Sequence, residues 1–245
     1  MPLSGSSMAA ERILVLDTWF PWIGLVAAAV LLVLLSMDSL RADLRIPRWR
    51  DLSWLSWAGV AAYLIHNVEE YGFDFHGQAY AFPKAFCGMF GYAALYPQCP
   101  VPGEVFTAVN IPMFWLAAPL GAWMSRRYRF MGLAIYSVIV VNLAAHVGRA
   151  LVSGGQYNPG LLTAILIFLP LAGWTLIGTG ALAKRELAAV VGIGVMVHAI
   201  LIFGMLLLIT GVVREPGVVV VLQSLNAGVL ILATFAAEKM GLRQR

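Results

Sequence analysis

The sequence predicts an all-α fold, a polytopic membrane helix bundle of seven transmembrane helices with the N-terminus out and the C-terminus in. Three observations carry this expectation. Of 245 residues, 61% are hydrophobic and 11% charged, with a mean hydropathy of +0.84, whereas a soluble domain carries about a quarter charged residues. Seven apolar runs, each near the roughly 20 residues that cross a hydrocarbon core, are separated by polar or Gly/Pro segments. The basic residues gather in every second connection. The formal charge of +4 then reflects topology, and without a basic stripe no nucleic-acid partner is expected.

The runs lie near residues 19–37, 53–72, 104–124, 130–152, 160–182, 187–211 and 217–237. The opening MPLSGSSMAAERILVLD has no basic n-region ahead of an apolar stretch, so no cleavable signal peptide is expected. Arg41, Arg45, Arg48 and Arg50, then Arg126, Arg127 and Arg129, then Lys184 and Arg185, then Lys239, Arg243 and Arg245 make up twelve of the sixteen basic residues. Arg12, Lys84, Arg149 and Arg214 fall on the other side, and the positive-inside rule sets the N-terminus out. Trp19, Trp22, Trp54 and Trp57 stand at helix ends, where an interfacial belt accounts for them. No internal repeat interrupts the chain, and residues 1–245 read as a single transmembrane domain.

One connection is long. Residues 73–103, FDFHGQAYAFPKAFCGMFGYAALYPQCPVPG, are rich in Phe, Tyr, Gly and Pro, and a loop of that length is expected to be a lid or a re-entrant segment, with a lid preferred. Predicted to lie outside, it puts Cys87 and Cys99 in an oxidising compartment. Two cysteines closing a short loop there suit a disulfide, with two reduced thiols as the alternative.

An ionisable side chain near the bilayer centre costs from about 2.5 kcal/mol upward, so each one inside a predicted span is a candidate site residue. HNVEE puts His66, Glu69 and Glu70 at i, i+3 and i+4, on one side of the second helix, with Tyr63 a turn below. In the fourth helix, Asn142, His146 and Arg149 form another stripe. Glu104, Thr107 and Asn110 belong to the third, His198 to the sixth, and Gln223 and Asn226 to the seventh. Counted from the predicted outer ends, His66, His146, Asn110 and Gln223 each lie about six residues in, roughly 9 Å deep. His198 lies about 13 residues in, roughly 20 Å deep, and reads as an interhelical hydrogen-bonding group. Asn110, beside Pro112, has the alternative role of satisfying a kink. Tyr157 and Asn158 in GGQYNPG read as turn residues, with a place at the border of the cavity as the alternative.

Two histidines and a carboxylate form a sufficient ligand set for a divalent ion. Zinc held in this way keeps one coordination position open for substrate or water. His66, Glu70 and His146 are the expected metal ligands. Glu69 is the expected general base or second carboxylate ligand, Asn142 or Asn110 holds a ligand's far nitrogen or polarises a substrate oxygen, and Arg149 binds an anionic group or pairs with a glutamate. Zinc is preferred to iron, because di-iron bundles use about four carboxylates and two histidines, and only Glu69, Glu70 and Glu104 are at hand. The bland reading of Glu69 and Glu70 is a polar helix end in interfacial water.

HNVEE, with NLAAH and YNPGLLTA further on, resembles the HXXEE family of small, mostly bacterial integral membrane proteins of poorly defined function. The resemblance covers roughly residues 60–235 and implies a place in a bacterial inner membrane, without implying an activity. Other families fit poorly. The last helix has no internal lysine for a retinal Schiff base, the arginine expected after EE in CAAX-processing glutamate proteases is missing from EEYGFD, and the late HxxxH of the ceramidase group is absent.

The expected function is a membrane-embedded, metal-dependent hydrolase acting on a lipid or other hydrophobic small molecule near the outer leaflet. Two alternatives are a metal-free acid/base isomerase or cyclase of an isoprenoid or sterol, and a proton-coupled transporter. The transporter lacks the inverted repeat common in such folds.

Overall fold

A computed structural model describes residues 4–92, 99–180 and 182–240, with side chains from residue 16 onward. Arg243 and Arg245 and the side chain of Arg12 therefore lie outside the described residues. The chain is all-helical there. The nearest approach to a strand is one isolated antiparallel bridge between Phe73 and Ala79.

Eight helices are used below. They are α1 (Ser4–Ser36), α2 (Leu52–Asn67), α3 (Ala81–Met89), α4 (Gly103–Met124), α5 (Ala134–Val152, entered through a 3-10 turn at Arg129–Leu133), α6 (Leu161–Gly178), α7 (Lys184–Ile209) and α8 (Pro216–Lys239). Among the described residues, six segments are long and apolar enough to cross a membrane: Leu16–Ser36, Gly103–Met124, Arg129–Val152, Leu161–Gly178, Lys184–Ile209 and Pro216–Lys239. The expected second span is helical but falls outside that set. Its regular part is 16 residues long, and it continues as a π-turn, Val68–Gly72, that carries the two glutamates.

Local chemistry accounts for the helix ends. Asp51 caps α2 by accepting the N–H groups of Ser53 and Trp54 on Oδ1, and it holds the preceding linker by accepting those of Ala42 and Asp43 on Oδ2. The capping carboxylate thus fixes both the entry of α2 and the path that leads to it. Gly211, at positive φ, closes α7, and Pro216 opens α8 at its first turn. Pro112 cannot donate to the carbonyl four residues back, and the helix answers with a π-turn over Pro112–Ala117.

α2 sits at the centre, packed on α1, α4, α5 and the start of α6. Tyr63, Phe114 and Phe168 from three of these helices meet there, Tyr63 and Phe114 stacked with centroids 3.6 Å apart. α5 and α7 touch where Gly194 faces Ser137, since a Cβ on Gly194 would collide with the Ser137 carbonyl oxygen. The long connection folds α3 against a second apolar cluster that includes Phe20, Tyr71, Phe106 and Met205, and Cys87 and Cys99 are joined there by a disulfide.

Replacing Asp51 with Ala removes a cap serving four backbone N–H groups. Thermal unfolding of purified protein in detergent is expected to show a loss of about 2 kcal/mol, whereas Asp43→Ala, on the exposed linker, leaves the transition within about 0.5 kcal/mol.

Candidate metal centre

His66, Glu70 and His146 come together. The Nε2 atoms of His66 and His146 lie 3.4 and 3.2 Å from the same oxygen, Glu70 Oε1, and one ligand atom from each of the three residues falls within 4.8 Å of the others. All three side chains are buried. The depth argument from helical rise is met for these two histidines.

The partners of the outward nitrogens determine what these atoms are. His66 Nδ1 lies 2.7 Å from Thr163 Oγ1, and that hydroxyl donates its own proton to Glu69 Oε2 at 2.5 Å. With its proton committed, the threonine oxygen accepts, so Nδ1 of His66 carries the hydrogen and Nε2 a lone pair. His146 Nδ1 lies 2.7 Å from Asn158 Oδ1, while Asn158 Nδ2 donates to the His146 carbonyl at 3.0 Å. The amide is thereby oriented, and His146 is also protonated on Nδ1. Two imidazole lone pairs and a carboxylate oxygen therefore face one another, three acceptors with no donor among them. His66 Nε2 is buried without a hydrogen-bond partner. Such a cluster calls for a cation between its members, a metal ion or a proton.

Glu69 does something other than expected. Its Oε1 accepts from the Tyr157 hydroxyl and the Leu162 N–H, and its Oε2 accepts from the Thr163 N–H and hydroxyl. The carboxylate thus caps the start of α6, where the helix dipole favours an anion, and is neither a base facing the cavity nor a ligand. Burial above all, with the contact to Glu69, pushes the Tyr157 hydroxyl up, which keeps it protonated as a donor.

The wide turn at Val68–Gly72 separates the two acids. In a regular α-helix both would project to the side of His66. In the π-turn an extra residue enters each turn, Glu70 stays with His66, and Glu69 swings toward α6.

Gly160 closes the back of the cluster at φ +94°, and a Cβ there would lie 2.5 Å from His146 Cε1 and 2.8 Å from His66 Cε1. Only glycine admits both the backbone geometry and the two rings. Asn158 borders the cavity, and Tyr157, Asn158, Gly160 and Thr163 are the groups that orient both histidines. The sequence alone does not distinguish this role from that of a turn, because these residue types serve turns equally well.

Glu70 and His146 form part of the wall of a cavity of about 300 Å³. His66 lies behind them, fully buried. Asn110 and Asn142, both anticipated, line the cavity, and Asn110 also donates to the Phe106 carbonyl at 2.8 Å. Arg149 lines it as well, exposed, beside Met89 of α3. It forms no ion pair with a described carboxylate, so the expected pairing with a glutamate is not made. Gln223 instead turns to the Ile200 and Leu201 carbonyls of α7. His198 was expected to bridge helices. It bonds to its own helix, Nδ1 to the Gly194 carbonyl at 2.8 Å, and lies on the cavity wall. The cavity extends to it from Glu70 and His146.

The mouth of the cavity is marked by its exposed lining residues: Met89 on α3, Ala145 and Arg149 on α5, and Ile202 on α7. α5 and α7, in contact at Ser137 and Gly194, both contribute to it, and the opening lies between them beside α3.

A Gly160→Ala substitution places a methyl group against both rings and forces a strained φ. Chemical or thermal unfolding is expected to report a loss of about 3 kcal/mol, while Gly155→Ala, also at positive φ but with open space around it, costs about 1 kcal/mol. Equal losses at the two positions would show that Gly160 matters for its backbone alone.

No curated protein and no solved structure matches the chain. Residues 57–175 match the family model described as a protein of unknown function with HXXEE motif; this segment holds His66, Glu69, Glu70 and every group that orients the two histidines.

Proposed function

We propose that the chain is an integral protein of a bacterial inner membrane, seven-spanning with its N-terminus outside, in which His66, Glu70 and His146 hold a divalent ion and promote hydrolysis of a lipid-like substrate. One observation carries this reading: two histidines, each held as the Nδ1–H tautomer by an accepting oxygen, direct bare Nε2 atoms at one buried carboxylate oxygen. The donor set suits zinc, with iron second, and a bound ion would polarise a carbonyl and supply a nucleophile at neutral pH.

The chain's own residues do the rest. Thr163 and Asn158 hold the imidazoles in the ligating tautomer, and Glu69 fixes Thr163. Glu70 is the one carboxylate on the cavity wall among the described residues. Asn110 and Asn142 line the same space, where an amide N–H could meet a developing oxyanion. Arg149 stands at the mouth, in reach of an anionic part of a substrate. The lateral opening between α5 and α7 favours a substrate that arrives from the bilayer, and the largely apolar wall favours one with a hydrocarbon part.

A second reading has its own support. Tyr63, Tyr71, Phe82, Phe86, Phe106 and Phe114 all line the cavity, an array suited to stabilising a carbocation, as a metal-free isomerase or cyclase of an isoprenoid or sterol would require. In that case a proton, shared among Glu70 and the two histidines, takes the place of the ion. For the transporter, the polar lining groups go no deeper than Asn142, His198 and Asn226, and nothing favours a path through the bundle.

Elemental analysis of purified protein is expected to find one divalent ion per chain, lost in His66→Ala and His146→Ala. Protein that folds, retains both histidines and takes up no ion from micromolar zinc would overturn the metal reading in favour of the proton. Thr163→Val keeps the ligands but removes the partner of His66 Nδ1, and is expected to weaken metal affinity about 10- to 100-fold in a chelator competition assay. Affinity is also expected to fall as pH drops through the range in which histidine takes up a proton, since the ligating nitrogens must be bare.

A further inference from the structure

Below the histidines the cavity carries a second group of polar atoms, separate from the three candidate ligands. Asn226 on α8 is 1% exposed; its Nδ2 donates to the Val197 carbonyl at 3.0 Å, and its Oδ1 is buried without a partner. That hydrogen bond fixes the amide, so the orphan atom is an oxygen. Asn142 Oδ1 on α5 is likewise buried and unpartnered. His198 on α7 gives its Nδ1 proton to the Gly194 carbonyl, which leaves Nε2 as an acceptor. All three residues line the cavity.

They also share a level. The contact of Gly194 with Ser137 sets the register of α7 against α5, and Asn142, five residues beyond Ser137, stands level with residue 199. Asn226 reaches the carbonyl of Val197. The trio thus falls within one helical turn, and His146 lies four residues above Asn142, about 6 Å along the axis. The oxygen of Asn226 and Nε2 of His198 are fixed acceptors, the Asn142 amide turns its oxygen to the same level, and a buried acceptor must find a donor.

We propose that this inner end of the cavity is a binding subsite for a hydrogen-bond-donating group, a hydroxyl or an amine, on the substrate, held by the side-chain oxygens of Asn142 and Asn226 and by Nε2 of His198. It deepens the hydrolase reading, on which its link to a substrate rests, by naming the part of the substrate that enters first. A volume of about 300 Å³ takes about ten groups of methylene size, at about 30 Å³ each. The donor-bearing end and the reacting bond fill the cavity, and a longer hydrocarbon tail leaves by the lateral opening past Ala145 and Ile202. The substrate class is an amphiphile with a small hydroxylated or amino group about 6 Å, one helical turn, from the bond that faces Glu70 and His146.

The test uses full-length protein in nanodiscs and tritiated 1-decanol, with unlabelled decylamine, methyl nonyl ether and decanoate as competitors, so that hydroxyl, ammonium, donor-free and anionic head groups are compared at matched chain length. Decanol or decylamine is expected to compete about tenfold better than the ether, and whichever does so identifies the donor. Decanoate is expected to be no better than the ether. Asn142→Leu removes an acceptor that makes no hydrogen bond within the protein and is expected to reduce the tenfold preference to threefold or less without loss of thermal stability; His198→Phe is the second variant. Equal competition by alcohol, amine and ether, or an unchanged preference in both folded variants, would overturn the subsite and leave the three acceptors to solvent. The probes have no scissile bond and are measured with and without chelator. A donor preference in protein that binds no metal would sink the hydrolase alone, and a bound metal without a donor preference would sink the subsite alone.

Discussion

Three acceptors pointed at one another inside an apolar bundle cannot stand without a positive charge among them. Glu70 Oε1, with a bare histidine nitrogen at 3.2 Å and another at 3.4 Å, is in that position, and much of the surrounding structure keeps it so. Were the Nδ1 partners of the two histidines removed, either ring could transfer its hydrogen to Nε2 and satisfy the carboxylate by itself. Thr163 and Asn158 prevent this. The demand for a cation is thus built by groups outside the cluster, and the same groups would supply the supporting hydrogen bonds that metal-ligating histidines use.

Backbone irregularity is what brings those partners in. The π-turn at Val68–Gly72 sends adjacent glutamates to different tasks, one to the histidines and one to the start of α6. The residue that opens α6, Gly160, lets the chain pass directly behind both rings. Glu69 then receives two backbone N–H groups and a side-chain hydroxyl from that helix start, so the helix and the tautomer of His66 are secured by one carboxylate. A regular helix through HNVEE would place two acids beside one histidine and leave α6 uncapped. The local departure from regular geometry is functional in this sense, as π-turns often are.

This also explains which parts of the site were legible in the sequence. The i, i+4 spacing of His66 and Glu70 and the matching depth of His146 follow from helical rise and rotation, and the triad could be read from them. The same arithmetic failed for Glu69, because it assumed a rotation per residue that the π-turn changes. It failed in a different way for His198: a count of residues from the helix end separates it from the other groups, whereas one cavity lined by several helices joins it to Glu70 and His146, which is a tertiary fact. Tyr157, Asn158 and Thr163 lie on a turn and a helix start, where their residue types are ordinary. Of the fold, the apolar runs were plain; only the one that carries the site lacks the composition of a membrane span.

That exception has a physical consequence for how the bundle is arranged. A segment carrying His66, Asn67, Glu69 and Glu70 would cost several kcal/mol per charged group if it faced hydrocarbon, so α2 has to be enclosed by other helices. The neighbours differ in how far they take part. The apolar windows of α4 and α5 are each 61% buried, against 28% for α1 and 33% for α6, α7 and α8, so α4 and α5 form the inner layer with α2 and the others form a jacket. The expected ligands and Asn110 and Asn142 all belong to the inner three helices. The groups that orient the ligands come with α6, the one jacket helix whose first turn is drawn inward by Gly160, and the way in runs past α7. Reactive groups held by enclosed helices, with orientation and access supplied from the jacket, let the access route vary without disturbing the triad itself.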